Sequence, residues 1–258
     1  MKIGICTSID KLEEAKSIGF DYAELNLSAL AGLADDAFAD SCKSIQAAGL
    51  PVEAMNILFP GTIKLVGPEA DLAVTRTYLD KAFARAKAVG ACVIVFGSGR
   101  ARMIPEGHDR KAAMAQLAAA TACIGEAAAA HGLTVVVEPL NTGETNVINS
   151  VAEGDALRKQ AAMPSISLLA DYYHMAVEKE PLDNIISAGS LAHAHIARGI
   201  GRTYPLSREE DDYNGFFRAL AKINYIGRMS IEGGTNDFAQ DAPAALAFLR
   251  MLAAENGL

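Results

Sequence analysis

Histidine is scarce in this chain, with 5 in 258 residues, and none occurs before His108. That scarcity argues against a multi-zinc centre that draws imidazoles from the early part of a fold. Cysteine is equally sparse. Cys6, Cys42, Cys92 and Cys123 are widely spaced and form no C-x-x-C pair, so neither a disulfide framework nor a zinc ribbon is expected and all four read as buried free thiols. Basic residues are outnumbered, 23 Lys and Arg against 31 Asp and Glu, for a formal net charge of −8. That balance argues against nucleic acid, whose backbone is bound by Lys/Arg clusters, and favours a small neutral substrate. No apolar run approaches the roughly 18 residues of a membrane span, and Met1-Lys2 leads straight into a strand-like run rather than an export leader. A cytoplasmic protein with no membrane partner is expected. The nucleotide-binding patterns G-x-x-x-x-G-K-[ST] and G-x-G-x-x-G are missing too.

What is present is a rhythm. Short, nearly unbroken apolar runs alternate about eight times with longer alanine-rich amphipathic stretches, the pattern of βα units around a parallel sheet buried on both faces. The strands are expected at 2–6, 22–25, 52–55, 92–96, 134–138, 167–171, 193–197 and 229–232. Helices are expected near 9–18, 34–48, 69–89, 109–130, 150–161, 181–188, 208–222 and 239–255. Gly19, Gly49, Gly90 and Gly132 stand where left-handed caps would turn helices back to the sheet. Eight such units predict a (β/α)8 TIM barrel, with residues 1–258 as one domain. Two connections, 61–69 (GTIKLVGPE) and 97–109 (GSGRARMIPEGHD), are long enough to be functional loops. In the second, Arg100 and Arg102 are candidates either to hold a phosphate or carboxylate on a substrate or to pair with nearby acids.

Four metal-capable side chains fall at the ends of four successive strands: Glu138, Asp171, His195 and Glu232. The C-terminal strand ends are where TIM barrels carry their chemistry. Three carboxylates and one imidazole make a hard donor set, suited to manganese first, with magnesium, cobalt or zinc as alternatives. His193 lies two residues before His195, so both face the same side of the strand, and His193 is expected to support its neighbour by hydrogen bonding rather than to ligate. His174, three residues after Asp171, is placed to lean toward a substrate hydroxyl. Glu24 and Asn56, at the ends of strands 2 and 3, are expected either to meet sugar hydroxyls or to be structural.

The combination Glu138-Pro-Leu-Asn with Glu144, Asp171-x-x-His174, His193-x-His195 followed by Arg202-x-x-Pro205, and Ile231-Glu232-Gly233 resembles the xylose-isomerase-like sugar isomerase and epimerase superfamily, nearest its D-tagatose and D-psicose 3-epimerase branch. The resemblance is specific from strand 5 onward and looser before it. It implies that Glu138, Asp171, His195 and Glu232 bind a divalent metal, and that Glu144, His174 and Arg202 hold substrate, with Arg198 as the alternative arginine. It implies further that Glu138 and Glu232 are the catalytic pair, one abstracting the C3 proton of a ketose and the other returning a proton to the opposite face through an enediolate. The same groups would serve a hydroxypyruvate or aldose-ketose isomerase or an inosose-type dehydratase. More distant readings are a non-catalytic sugar-binding barrel and a DNA-repair endonuclease. A homo-oligomer, dimer or tetramer, is expected.

Overall fold

Eight strands pair in chain order and close on themselves: β1 (Lys2–Cys6), β2 (Tyr22–Asn26), β3 (Val52–Asn56), β4 (Val93–Phe96), β5 (Thr134–Val137), β6 (Ile166–Asp171), β7 (His193–Ile196) and β8 (Arg228–Ile231). Every pairing is parallel, including the closing pair of β1 with β8. The structure, a computed structural model, describes residues 1–258. The helices are α1 (Leu12–Ile18), α2 (Leu27–Gly32), α3 (Asp35–Ala48), α4 (Leu72–Ala88), α5 (Gly99–Arg102), α6 (Arg110–His131), α7 (Val151–Ala161), α8 (Tyr172–Glu178), α9 (Asp183–Ala188), α10 (Tyr213–Lys222) and α11 (Phe238–Glu255). The TIM barrel expected from the apolar rhythm is therefore the fold, and the expected strands and longer helices recur within a few residues of their predicted bounds.

Three helices were not legible. α2, α5 and α8 are turns of four to seven residues set directly on the ends of β2, β4 and β6, too short to display a helical period. Four of the longer helices, α4, α6, α7 and α11, start where a side chain can accept the free amide protons of a first turn, at Asp71, Asp109, Ser150 and Asp237. Gly19, Gly49 and Gly132 close α1, α3 and α6 in the left-handed conformation, as expected.

Two expectations need correction. Helix α6 is, by length and composition, apolar enough to cross a membrane, although no such run was foreseen. Its apolarity comes from alanine rather than from long side chains, and its Leu117, Ala120, Ile124 and Ala127 are buried against the barrel. The four cysteines are free but only half-buried. Cys6 ends β1 and Cys92 precedes β4, whereas Cys42 and Cys123 lie within α3 and α6.

The bottom of the barrel is filled by an aromatic ring. Tyr22 on β2 is fully buried and lies across Gly4 of β1, where an added Cβ would approach the ring to 2.3 Å. Gly4→Ala is expected to cost about 1–3 kcal/mol through this overpacking, read as a lower midpoint in urea unfolding. An unchanged midpoint would mean that Tyr22 swings aside freely.

Candidate active site

Strand register assembles the centre. Asp171, the last residue of β6, is paired with His195 of β7, and His195 is paired in turn with Ser230 of β8. Glu138 and Glu232 are the first residues beyond β5 and β8. Ligand-capable atoms of Glu138, Asp171, His195 and Glu232 all lie within 4.8 Å of one another. Nδ1 of His195 is 3.0 Å from Oε1 of Glu138 and 3.2 Å from Oε2 of Glu232.

The other ring nitrogen of His195 faces inward, where Glu24 of β2 is completely buried. Its Oε1 lies 3.0 Å from Nε2 of His195, and its Oε2 accepts from His193 at 2.8 Å and from the Ser230 hydroxyl at 2.6 Å. Tyr22 donates to that hydroxyl at 2.8 Å. Burial alone would raise the Glu24 carboxyl, but the His195 and His193 imidazoles outweigh it and hold the acid well below the usual range. An ionised carboxylate only accepts, so Nε2 of His195 carries a proton and Nδ1 is left as the nitrogen aimed at the cluster. Both Glu24 oxygens are thus engaged beneath the site, out of reach of a sugar hydroxyl. Asn56 is engaged as well, donating to Oε1 of Glu232 at 2.9 Å.

Above the cluster, His174 accepts at Nδ1 from the Asn141 backbone amide at 3.1 Å, and the Asn141 side-chain amide lies 2.9 Å from the same nitrogen. Its Nε2 therefore carries the proton, points toward Oδ2 of Asp171 at 3.5 Å, and has no hydrogen-bond partner. Burial, helped by Arg202, brings the His174 pKa down to about 3, so the ring is neutral across the working range. Arg202 donates to Oε2 of Glu232 at 2.6 Å and to Oε1 of Glu144 at 3.2 Å, and its guanidinium lies over the Tyr173 ring. The β7 loop delivers it by turning back: Arg198 N donates to Thr203 O, and Thr203 bridges to Gly234 after β8. Arg198 makes no contact with the cluster. Glu138, Glu144, Arg202 and Glu232 line one cavity of about 440 Å³, with Ile57, Phe59 and Leu140 among its apolar walls.

The loop after β4 holds Glu138 in place. Arg102 is fully buried and donates to the carbonyls of Phe96 at 3.0 Å and Glu138 at 2.6 Å. It is consumed by this anchoring and free neither for a substrate anion nor for an acid partner. Gly97 lies so close that a Cβ there would sit 2.0 Å from Oε2 of Glu138. Glu24 and Asn56 thus take the structural one of their two expected roles, and Arg102 takes neither of the two expected for it. Sequence reasoning missed the parts of Asn141 and Gly97, whose contacts are made across the fold and leave no local signal.

The cluster fits a hard divalent ion. Burial pushes the Asp171 carboxyl up to about 7, with Glu232 and Glu138 adding to the rise against His195 and Arg202. Burial and then Glu232 raise Glu138 as well. Burial opposes charge on His195, yet Glu24, Glu232 and Glu138 hold its pKa well above the ordinary value. Oδ2 of Asp171 is buried without a hydrogen-bond partner. Three carboxylates crowd one imidazole nitrogen that carries a proton while no ion is bound, and a dication taking that proton's place would relieve the crowding. Cys6 approaches His195 and Glu232, but burial and Glu24 raise its thiol pKa, keeping it protonated.

A parallel barrel with a single carboxylate-and-imidazole centre on its C-terminal rim is the class of protein that this fold and site define. Residues 12–252 match the family model described as a xylose isomerase-like TIM barrel, and the chain belongs to that family. It is similar to the ketose 3-epimerase of Arthrobacter globiformis, at 29% identity over 168 residues, 64% of this chain and 56% of that one. It is also similar to the 3-dehydro-D-guloside 4-epimerase of Escherichia coli K12, at 30% over 129 residues, 48% of each chain. The chain spans about half the length of the curated relatives it matches. A crystal structure of D-psicose 3-epimerase in the presence of D-fructose shares the fold, with a TM-score of 0.85 at 23% identity over 98% of this chain and 99% of that one.

Glu24→Gln is expected to weaken Mn²⁺ binding to the stripped protein about 10- to 100-fold, because His195 loses the carboxylate that fixes its ring. Titration calorimetry measures this directly. Unchanged affinity would show that packing alone orients His195.

Proposed function

We propose that the chain is a metal-dependent ketose 3-epimerase working through an enediolate, with residues 1–258 as one catalytic domain. The observation that carries this reading is the approach of Glu138 and Glu232 to the same nitrogen of His195, at 3.0 and 3.2 Å, beside a cavity that both line. The names of the curated relatives, both sugar epimerases, support it.

A divalent ion, manganese first and magnesium, cobalt or zinc as alternatives, would be held by Glu138, Asp171, His195 and Glu232 and would supply positive charge to the enediolate oxygens. The protein's own groups do the rest. Oε1 of Glu138 is the oxygen turned toward Nδ1 of His195, which leaves Oε2 for proton transfer. One of Glu138 and Glu232 removes the C3 proton and the other delivers a proton to the opposite face. Burial would raise the Glu232 carboxyl, but His195 and then Arg202 outweigh it and bring it down to about 2, keeping it ionised. The free Nε2–H of His174 donates to the substrate oxygen on which charge develops. Glu144 and Arg202 hold hydroxyls, and the apolar wall of Ile57, Phe59 and Leu140 limits water at the reacting carbon. A cytoplasmic location and a small sugar as partner complete the reading, and the exposed Ile200, Leu206 and Ile226 support assembly into a homo-oligomer.

Metal-stripped protein, with and without Mn²⁺, is incubated with free ketoses and aldoses in deuterated water and followed by NMR. The expected result is metal-dependent deuterium at C3 of a ketose and a new C3 epimer. Glu138→Gln and Glu232→Gln should each lower the exchange rate by about 10² to 10⁴. Label at C1 or C2 with aldose-ketose exchange would replace the epimerase by an isomerase, label at C4 would move the reacting centre, and loss of water would mark a dehydratase.

A further inference from the structure

Arg100 is the one charged side chain lining the central cavity that has no charged partner. Glu138 and Glu232 approach His195, and Glu144 and Glu232 pair with Arg202, whereas Arg100 faces no carboxylate within ion-pair distance. The loop that carries it is firmly built. Arg102, two residues on, is locked to the ends of β4 and β5. Ser98 is held in the left-handed conformation at φ +33°, unusual for a residue with a Cβ, and its hydroxyl accepts from the Phe59 amide at 2.9 Å. Gly99 passes so close to the Glu144 carbonyl that a Cβ there would approach it to 2.8 Å. Across the mouth, Lys64 ties the β3 loop to α5 by donating to the carbonyls of Gly61 at 2.8 Å and Arg100 at 3.2 Å, and it too has no acidic partner. Both cations also line the adjoining cavity, where Glu69 and Glu106 pair with neither.

The cavity is therefore polarised. Its buried end holds Glu138 and Glu232, and its exposed mouth holds an unpaired guanidinium with an ammonium behind it. A neutral sugar offers this cation only hydroxyl oxygens, which leave its charge unbalanced. A planar guanidinium fork matches phosphate and carboxylate oxygens, and the acids at the inner end would repel such a group, leaving one orientation of the sugar.

We propose that the substrate is a ketose bearing an anionic group, phosphate or carboxylate, at the chain end remote from the reacting carbons, and that Arg100 is the residue that selects it. The net charge of −8 points to a neutral substrate, but the local arrangement at the mouth outweighs it at contact distance. The inference rests on the ketose reading above.

The test uses matched sets that differ only at C6: D-fructose, D-fructose 6-phosphate and D-fructuronate, and the same three derivatives of D-tagatose. Deuterium exchange gives kcat/KM for each, and calorimetry gives the affinity of each for the Mn²⁺-loaded protein. The expected result is a preference of tenfold or more for one anionic member over its neutral parent, with the ratio collapsing toward one in Arg100→Gln and partly restored in Arg100→Lys. Phosphate or carboxylate is then identified by which arm shows the preference. Exchange on the neutral sugar with no anionic preference would overturn the inference and leave the epimerase standing. Arg100-dependent binding of an anionic ketose without exchange at any carbon would do the reverse. Absence of Arg100-dependent binding in calorimetry overturns the inference whatever the turnover.

Discussion

A carboxylate inside an apolar barrel is costly to desolvate, and Glu24 is kept there by three hydrogen bonds, from His193, His195 and Ser230. The candidate centre depends on that arrangement. With Nε2 of His195 committed to Glu24, the imidazole has one free nitrogen and one orientation, and Glu138 and Glu232 close on it from either side. Tyr22 extends the network toward the barrel floor through Ser230, so the same ring that fills the bottom layer steadies the polar layer above it. Packing and chemistry share residues here.

A division of labour follows from the architecture. The groups that must be placed most closely, Asp171 and His195, stand on paired strands whose register leaves no freedom of position. The groups suited to holding a substrate, Glu144, His174, Arg202 and Arg100, come from the loops and short helices just beyond. Those segments are nonetheless braced: Asn141 on His174, the Thr203 and Gly234 bridge under Arg202, and Arg102 under the β4 loop. A rigid rim of this kind lets one scaffold present different sugar contacts without disturbing the centre.

Much of this was legible in the residues. Eight apolar runs separated by amphipathic stretches announced the barrel because a buried parallel strand has little choice but β-branched and aliphatic residues. Glu138, Asp171, His195 and Glu232 stood out because an acid or imidazole closing an apolar run needs a reason to be there. What was hidden depends on distance in sequence. Asn56 meeting Glu232 across 176 positions leaves no local pattern. Glu24 was visible but its role stayed open between sugar contact and support, since alternation along a strand gives its face and not its depth within a barrel. Arg102 was expected to hold a substrate anion or to pair with an acid, because burial of a guanidinium against carbonyls has no signature in composition. α2, α5 and α8 escaped for want of a full period.

Gly97 has no side chain, touches no substrate and lies on a loop, yet its missing Cβ is the space in which a glutamate oxygen of the centre sits. Every single-base change that alters a glycine codon to another amino acid adds a Cβ. A missense change at this codon therefore acts first on the position of that oxygen, so the gene constrains the centre through a residue that contributes no atom to it.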